Sequence, residues 1–373
     1  MSIDHKTREI IEQSGYITCD RLMQEALHLS PTSYYKQTKS LGEEGDFITA
    51  PEVSQLFGEI IGLWCIKEWQ RIGSPKNLNI VELGPGRGLL MRDLLRTAKL
   101  VPEFYNALSI NLIDINENLI IQQKSNLQNF DLPINWYASI EDIPKKPALI
   151  IANEFFDAMP IKQYIKVKEL WYERIFVVQP VDGKIKYDKI AVSKQLQDYL
   201  QKTHLDAKDG AVLEESYNSI EIMKFMSEHI KELGGSGLII DYGYDINPNI
   251  RTRHQYNSTL QAIKNHKYCP VIENLGEADL SAHVDFYVLK TVAQNSKINV
   301  IDTISQRDFL IENGILLRKQ TIQDKLNPQQ AQLIERQVDR LISVKEMGGL
   351  FKVLQVMKTS PTVSLHDQAG VVA

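Results

Sequence analysis

The spacing of apolar residues changes character several times along this chain. Between residues 50 and 71 it is helical, with Val53, Leu56, Phe57, Ile60, Ile61 and Trp64 on one stripe. Thr49 and Glu52 stand three apart at its start, the signature of a capping box, and Pro51 sits in the first turn. One core-facing helix from Thr49 to about Arg71 is expected. Residues 1–30 also read as helical: Thr18 can cap a segment whose Leu22, Met23, Ala26 and Leu27 share a face, and Pro31 stops it. From residue 79 the pattern becomes short apolar runs without alternation, at 80–83, 109–113, 134–137, 148–152 and 237–241. Such runs suit parallel strands covered by helices on both faces. Residues 161–167, 170–178 and 184–192 read instead as an antiparallel insertion around Val181-Asp182-Gly183, followed by helices over 194–202 and 214–233. Residues 242–297 read as loop-rich, 298–303 and 350–357 as strands, 306–313 and 328–343 as helices, the last capped by Asn327.

The pattern predicts an α/β fold, a Rossmann-like doubly wound sheet with an antiparallel insertion and an N-terminal helical region. Its expected divisions are 1–75, 76–160 with 236–358 as the core, 161–235 as the insertion, and 359–373 as a tail. The loop-rich stretch 242–297 is expected to face the substrate.

The junction of the first run and its helix holds the richest chemistry. Glu82-Leu83-Gly84-Pro85-Gly86-Arg87-Gly88 places three glycines on alternate positions between a strand and a helix. Such a turn lets a ligand approach the backbone and points free N–H groups at it. A dinucleotide fingerprint would need glycine where Leu89 stands, so the spacing fits a class I S-adenosylmethionine loop better. A turn that merely joins strand to helix is the rival reading. Asp114 ends the second strand, where an acid can accept both ribose hydroxyls of a nucleoside or else cap the next helix. Ser139 and Ile140 follow the third strand and are the candidates for the adenine side. Asn153, Glu154 and Asp157 follow the fourth, an amide and two carboxylates that can bind a guanidinium or complement a helix dipole. His283 and Asp285 lie in a dense polar stretch that suits substrate or acid–base work, or a structural hydrogen-bond knot. No second histidine stands at ligand spacing, so no metal is expected. The segment 31–48, with Gly45 and Asp46 leading to Thr49, is either a binding-site lid or a plain connection.

Composition narrows the choice. Net charge is −5 over 373 residues, which offers no basic field for nucleic acid. Three cysteines, Cys19, Cys65 and Cys269, form no paired motif and suit a reducing compartment. No apolar run is long enough for a bilayer, and residues 1–13 lack an apolar leader region, so a cytoplasmic protein without membrane insertion is expected.

These segments together resemble the MidA-like family of S-adenosylmethionine-dependent methyltransferases. The resemblance is carried by Gly45-Asp46-Phe47-Ile48-Thr49-Ala50-Pro51-Glu52 with Ser54-Gln55 and Phe57-Gly58-Glu59, by Val81–Gly88, and by Asn153–Ala158 with Pro160. Asp241-Tyr242-Gly243 and Asp279-Leu280-Ser281-Ala282-His283-Val284-Asp285-Phe286 complete it, so that it spans residues 15–357. It implies a class I methyltransferase domain using S-adenosyl-L-methionine, with Gly84, Gly86 and Gly88 at the methionine part, Asp114 at the ribose, and a lid of Gly45, Asp46 and Thr49. Mitochondrial members of the family are complex I assembly factors that methylate a protein arginine. The resemblance therefore implies a protein acceptor, such as a complex I subunit, with Glu154, Asp157, His283 and Asp285 as candidate catalytic residues. Where the family usually has Glu followed by Ser-Pro, this chain has Asp114-Ile115-Asn116. A non-catalytic assembly chaperone and a nicotinamide oxidoreductase are the alternatives, and a homo-oligomer is left open.

Overall fold

The computed structural model describes residues 3–30, 32–36, 48–252 and 255–358. Its central sheet contains, in chain order, β1 (Leu78–Leu83), β2 (Leu108–Ile113), β3 (Ile134–Tyr137), β4 (Ala148–Asn153), β5 (Gly235–Tyr244), β6 (Asn299–Ser305) and β7 (Phe351–Met357). Across the sheet they run 3-2-1-4-5-7-6. Neighbours β3 to β5 are parallel, and β7 is antiparallel to both β5 and β6. The order reverses between β1 and β4, which is where open α/β sheets leave a crevice at their carboxyl edge.

Alternation along the strands divides the core into two layers. Leu78 and Ile80 of β1, with Leu149 and Ile151 of β4, pack beneath the helices Gln55–Arg71 and Leu89–Ala98. Val81 and Leu83, with Ile150 and Ala152, pack on the other face against Met223, Met226 and Ile230 of the helix Tyr217–Leu233. Both faces are covered, which is why these runs carry no polar alternation.

The helix expected from Thr49 to Arg71 is in fact two. Ala50–Val53 ends at Ser54, whose extended backbone restarts the chain and whose Oγ accepts the Leu56 N–H at 3.3 Å. The second helix is buried far beyond one stripe, because Gly58 and Gly62 bring it close to the helix Leu89–Ala98. A Cβ on Gly62 would stand 2.9 Å from Thr97 Cβ and 3.0 Å from the Leu94 carbonyl oxygen.

A second layer stands over the carboxyl edge. The strands Lys162–Val167, Leu170–Val178, Ile185–Ala191 and Val212–Glu215 form an antiparallel sheet that also takes Ile17–Thr18 as a short edge strand. Residues 212–215 are thus strand, and the helix expected from 214 begins after Ser216, whose Oγ accepts the Ser219 N–H at 3.2 Å. The stretch 242–297 is less loop-like than expected. It holds a small sheet, Gln261–Lys264, Lys267–Cys269 and Asp279–Ser281, and the helix Phe286–Asn295. The helices Ile3–Ser14 and Cys19–Gln24 share a core with Phe176 of the antiparallel sheet and with Ala262 and Leu280 of the small sheet. Among the described residues no helix is long and apolar enough to cross a membrane.

The close helix pair yields a stability test. Gly62→Val is expected to cost about 1–3 kcal/mol by overpacking, read as a lower urea midpoint at constant slope. An unchanged midpoint would show that the helices are not in this contact.

Candidate active site

After Leu83 the chain turns at once. Gly84, Gly86 and Gly88 have φ of 60°, 52° and 77°, left-handed backbone that side chains resist. A Cβ on Gly84 would also stand 2.8 Å from the Phe155 ring. Gly88 N–H donates to the Pro85 carbonyl at 2.7 Å, and Gly84 N–H ties the turn to Ile113 at 3.0 Å. The turn opens on a cavity of about 710 Å³. The carboxyl ends of the first four strands all reach it, through Glu82 and Gly84, Asp114, Ser139 and Ile140, and Asn153.

Asp114 is held from two sides. Its Oδ1 accepts the Asn116 N–H at 2.8 Å and its Oδ2 accepts Gln123 Nε2–H at 2.7 Å. Burial raises its pKa, and these two donors oppose the rise. The helix Glu117–Leu127 is capped by Asn116, whose Oδ1 accepts the N–H groups of Asn118 and Leu119 at 3.0 and 3.3 Å. Asp114 is therefore not a helix cap.

Two buried acceptors, Glu82 Oε2 and Asn153 Oδ1, have no hydrogen-bond partner within the described protein. Burial, and then the charge of Asp114, push Glu82 up to about 8. Orphaned acceptors beside a backbone that only glycine suits fit a ligand carrying donors and positive charge. S-adenosylmethionine has both, in its ribose hydroxyls and its two cationic centres.

The turn after β4 brings carboxylates to the same space. Glu154 has φ of 50°, unusual for a side-chain-bearing residue. Its Oε1 accepts the Ala50 N–H at 3.0 Å and Asn153 Nδ2–H at 3.2 Å. Burial pushes Glu154 up to about 8 and Asp157 up to about 6. Behind them Asp241, 1% exposed, receives on Oδ2 the N–H groups of Phe155, Phe156 and Asp157 at 3.2, 3.0 and 3.2 Å. Burial raises Asp241 first, then Asp157 and Glu154, while backbone donors work against them.

The roof comes from the N-terminal helices. Arg21, Gln24, His28 and Tyr35 line the cavity with Asp279. Tyr35 donates its hydroxyl to Asp279 Oδ1 at 3.1 Å, and its carbonyl accepts Asn116 Nδ2–H. At the mouth Arg87 pairs with Glu52 at 3.6 Å. Glu52, Glu82, Asp114, Glu154, Asp157 and Asp279 face the cavity, against Arg21, Lys36 and Arg87 as its bases. Two of those bases are spoken for, since Arg87 pairs with Glu52 and Arg21 with Glu25.

Of the expected site residues, Glu82, Gly84, Gly86, Asp114, Ser139, Ile140, Asn153, Glu154, Asp157 and Thr49 line this one cavity. Gly45 and Asp46 lie outside the described residues. Three expectations need correction. Gly88 does not line the cavity; a Cβ there would stand 3.3 Å from Gln123 Cα, so it serves the packing of turn on helix. His283 is exposed, stands edge-on to Tyr242 at 5.6 Å, and borders a separate cavity of about 420 Å³. Asp285 caps the helix Phe286–Asn295 by accepting the Val288 N–H at 3.1 Å. Sequence reasoning misses Gln123 altogether; Tyr35, Asp241 and Asp279 stand in stretches it singles out, but without the contacts they make here.

Over residues 60–304 the chain matches the family model described as "Putative S-adenosyl-L-methionine-dependent methyltransferase". It is 34% identical to "Protein arginine methyltransferase NDUFAF7, mitochondrial" of Danio rerio, over 96% of this chain and 87% of that protein. The protein of the same name from Homo sapiens is 32% identical over 93% and 81%. A COG1565 superfamily member from Burkholderia thailandensis, solved with S-adenosyl-homocysteine bound, superposes with a TM-score of 0.83 at 23% identity, over 95% and 92% of the two chains. The cytoplasmic placement expected from composition is overturned, since these curated relatives are mitochondrial proteins.

Asp241→Ala leaves three buried N–H groups without an acceptor and is expected to cost about 3 kcal/mol or more. Asp241→Asn keeps one acceptor and should fall between that variant and the parent in chemical denaturation. Parent-like stability in the alanine variant would mean that the turn holds itself.

Proposed function

The chain belongs to the family of S-adenosyl-L-methionine-dependent methyltransferases, and from that premise we propose that it methylates an arginine guanidinium of a protein. The observation that carries this reading is that the acidic turn Glu154–Asp157 opens into the cavity bordered by the glycine turn. The excess of carboxyls over bases in that cavity favours a cationic acceptor, and a guanidinium matches paired carboxylates in shape as well as charge. The names of the curated relatives agree with it. Following the resemblance of the motifs, the proposed acceptor is a subunit of respiratory complex I or a protein of that assembly.

In this reading Gly84 and Gly86 admit the methionine part of the donor, Asp114 the ribose, and Ser139 and Ile140 the adenine side. When bound, S-adenosylmethionine supplies a methyl group on a positively charged sulfur. Glu154 and Asp157 align the guanidinium toward it and lower the cost of bringing a second cation into a buried space. The attacked nitrogen must shed one proton for each methyl gained. A carboxylate of this pair takes that proton, a task suited to groups that titrate near neutrality. Thr49, whose N–H donates to Glu52 Oε2 at 3.2 Å, anchors the end of the lid segment beside Glu154.

Glu154→Gln is expected to lower transfer of radiolabelled methyl to mitochondrial lysate proteins by about 100-fold. Calorimetric affinity for S-adenosyl-homocysteine should stay within about threefold, because Gln keeps an acceptor for Ala50 and Asn153. Hydrolysed product should contain methylarginine; label on another residue, or unchanged turnover, removes the assignment. The pH dependence has a definite sign. Asp157 and Glu154 bind a cation only when ionised, and their pKa values lie at about 6 and about 8. At saturating donor the rate should therefore climb with pH through both values, and the upper limb should vanish in Glu154→Gln. A profile flat across that range would contradict the pairing.

A further inference from the structure

We propose that Gln123 is a positioning residue for the cofactor, holding the glycine turn and the ribose acid at a set distance from each other. Its side chain is 0% exposed, on the helix Glu117–Leu127 outside the strand ends, yet it joins three elements of the site. Nε2 donates to the Gly86 carbonyl at 2.8 Å and to Asp114 Oδ2 at 2.7 Å. Oε1 accepts the indole N–H of Trp136, on β3, at 2.8 Å. The amide can take only this orientation. Reversed, its oxygen would oppose two acceptors and its NH₂ would oppose the indole donor. A glutamine has two donors, and both are spent on cavity-lining residues.

The consequence concerns Asp114. A carboxylate accepts two ribose hydroxyls only if its plane is set before the ligand arrives. Asn116 fixes Oδ1 through its N–H, and Gln123 fixes Oδ2. The same carboxamide fixes the carbonyl of Gly86, so the methionine end and the ribose end of the site share one ruler. Gly88 lets that ruler reach, since a Cβ there would stand 3.3 Å from the Cα of Gln123. Asn126 Nδ2 reinforces the brace one turn further by donating to the Arg87 carbonyl at 2.8 Å. The inference rests on reading Asp114 as the ribose ligand.

The test is calorimetric titration of the full chain with S-adenosyl-homocysteine, for the parent, Gln123→Leu, Gln123→Glu, Asp114→Asn, and Asp114→Asn combined with Gln123→Leu. Circular dichroism checks that each is folded. Gln123→Glu keeps the shape and the acceptor for Trp136 but sets a carboxylate against Asp114 and Gly86, so it probes the donors alone. Both Gln123 variants should bind about tenfold more weakly or worse. In the Asp114→Asn background Gln123→Leu should cost clearly less than in the parent. In the ligand-free protein, the indole N–H resonance of Trp136 should move in Gln123→Leu and stay near its place in Gln123→Glu. A folded Gln123 variant that binds within about twofold of the parent, or an equal loss with and without Asp114, overturns the proposal. Asp114→Asn binding S-adenosyl-homocysteine as tightly as the parent overturns the reading of Asp114 instead.

Discussion

The carboxylate of Asp241, behind the site rather than in it, is what the site geometry depends on. It collects three consecutive backbone N–H groups from Phe155 to Asp157 and so fixes the turn that leaves β4. Phe155, held there, presses its ring against Gly84 and leaves no space for a side chain on the glycine turn. Glu154, at the head of the turn, reaches back to Ala50 and ties the N-terminal helix Ala50–Val53 to the sheet. One buried acid thereby joins β5, β4, the glycine turn and the helix Ala50–Val53. Burial and the neighbouring acids raise its pKa, and the backbone donors work against that rise.

Burial acts on the carboxyls facing the cavity in the same direction as on Asp241. Glu82, Glu154 and Asp157 are raised chiefly by burial, and Glu82 keeps an oxygen without a partner. With folded pKa values above the unfolded ones, these groups favour folding at low pH and weaken it as pH climbs through the folded values. A ligand with positive charge reverses that cost, since it stabilises the ionised form in place of water. Glu82 on β1 and Glu154 and Asp157 after β4 thus bring their raised carboxyls to one cavity.

How far this was legible in the sequence follows from how local each feature is. The glycine turn is written in consecutive residues and stands where its pattern put it, as do the strand ends at Asp114 and Asn153. The 242–297 segment misled because density of polar residues is ambiguous. Asp285 and His283 look like chemistry but spend their polar groups on a helix cap and on surface packing. The break at Ser54 escaped notice because the capping box upstream and the apolar stripe downstream form one continuous pattern. Gln123 could not be singled out, since a buried glutamine on a helix carries no motif. Its partners Gly86, Asp114 and Trp136 are distant in sequence and meet only in the folded sheet.

The roof belongs to the same nonlocal class and changes how the site is entered. Asn116 donates its side-chain amide to the Tyr35 carbonyl, while its backbone N–H holds Asp114. Asn118 donates to the Lys36 carbonyl at 3.1 Å. Tyr35 in turn reaches Asp279, on the small sheet above the cavity. The turn that carries the roof is therefore fastened to the residue two positions beyond Asp114. Displacing Tyr35 must pull on Asn116, and the backbone of Asn116 is what orients Asp114. Asn116 thus joins parts of the chain far apart in sequence, bonding the roof through its side chain and Asp114 through its backbone.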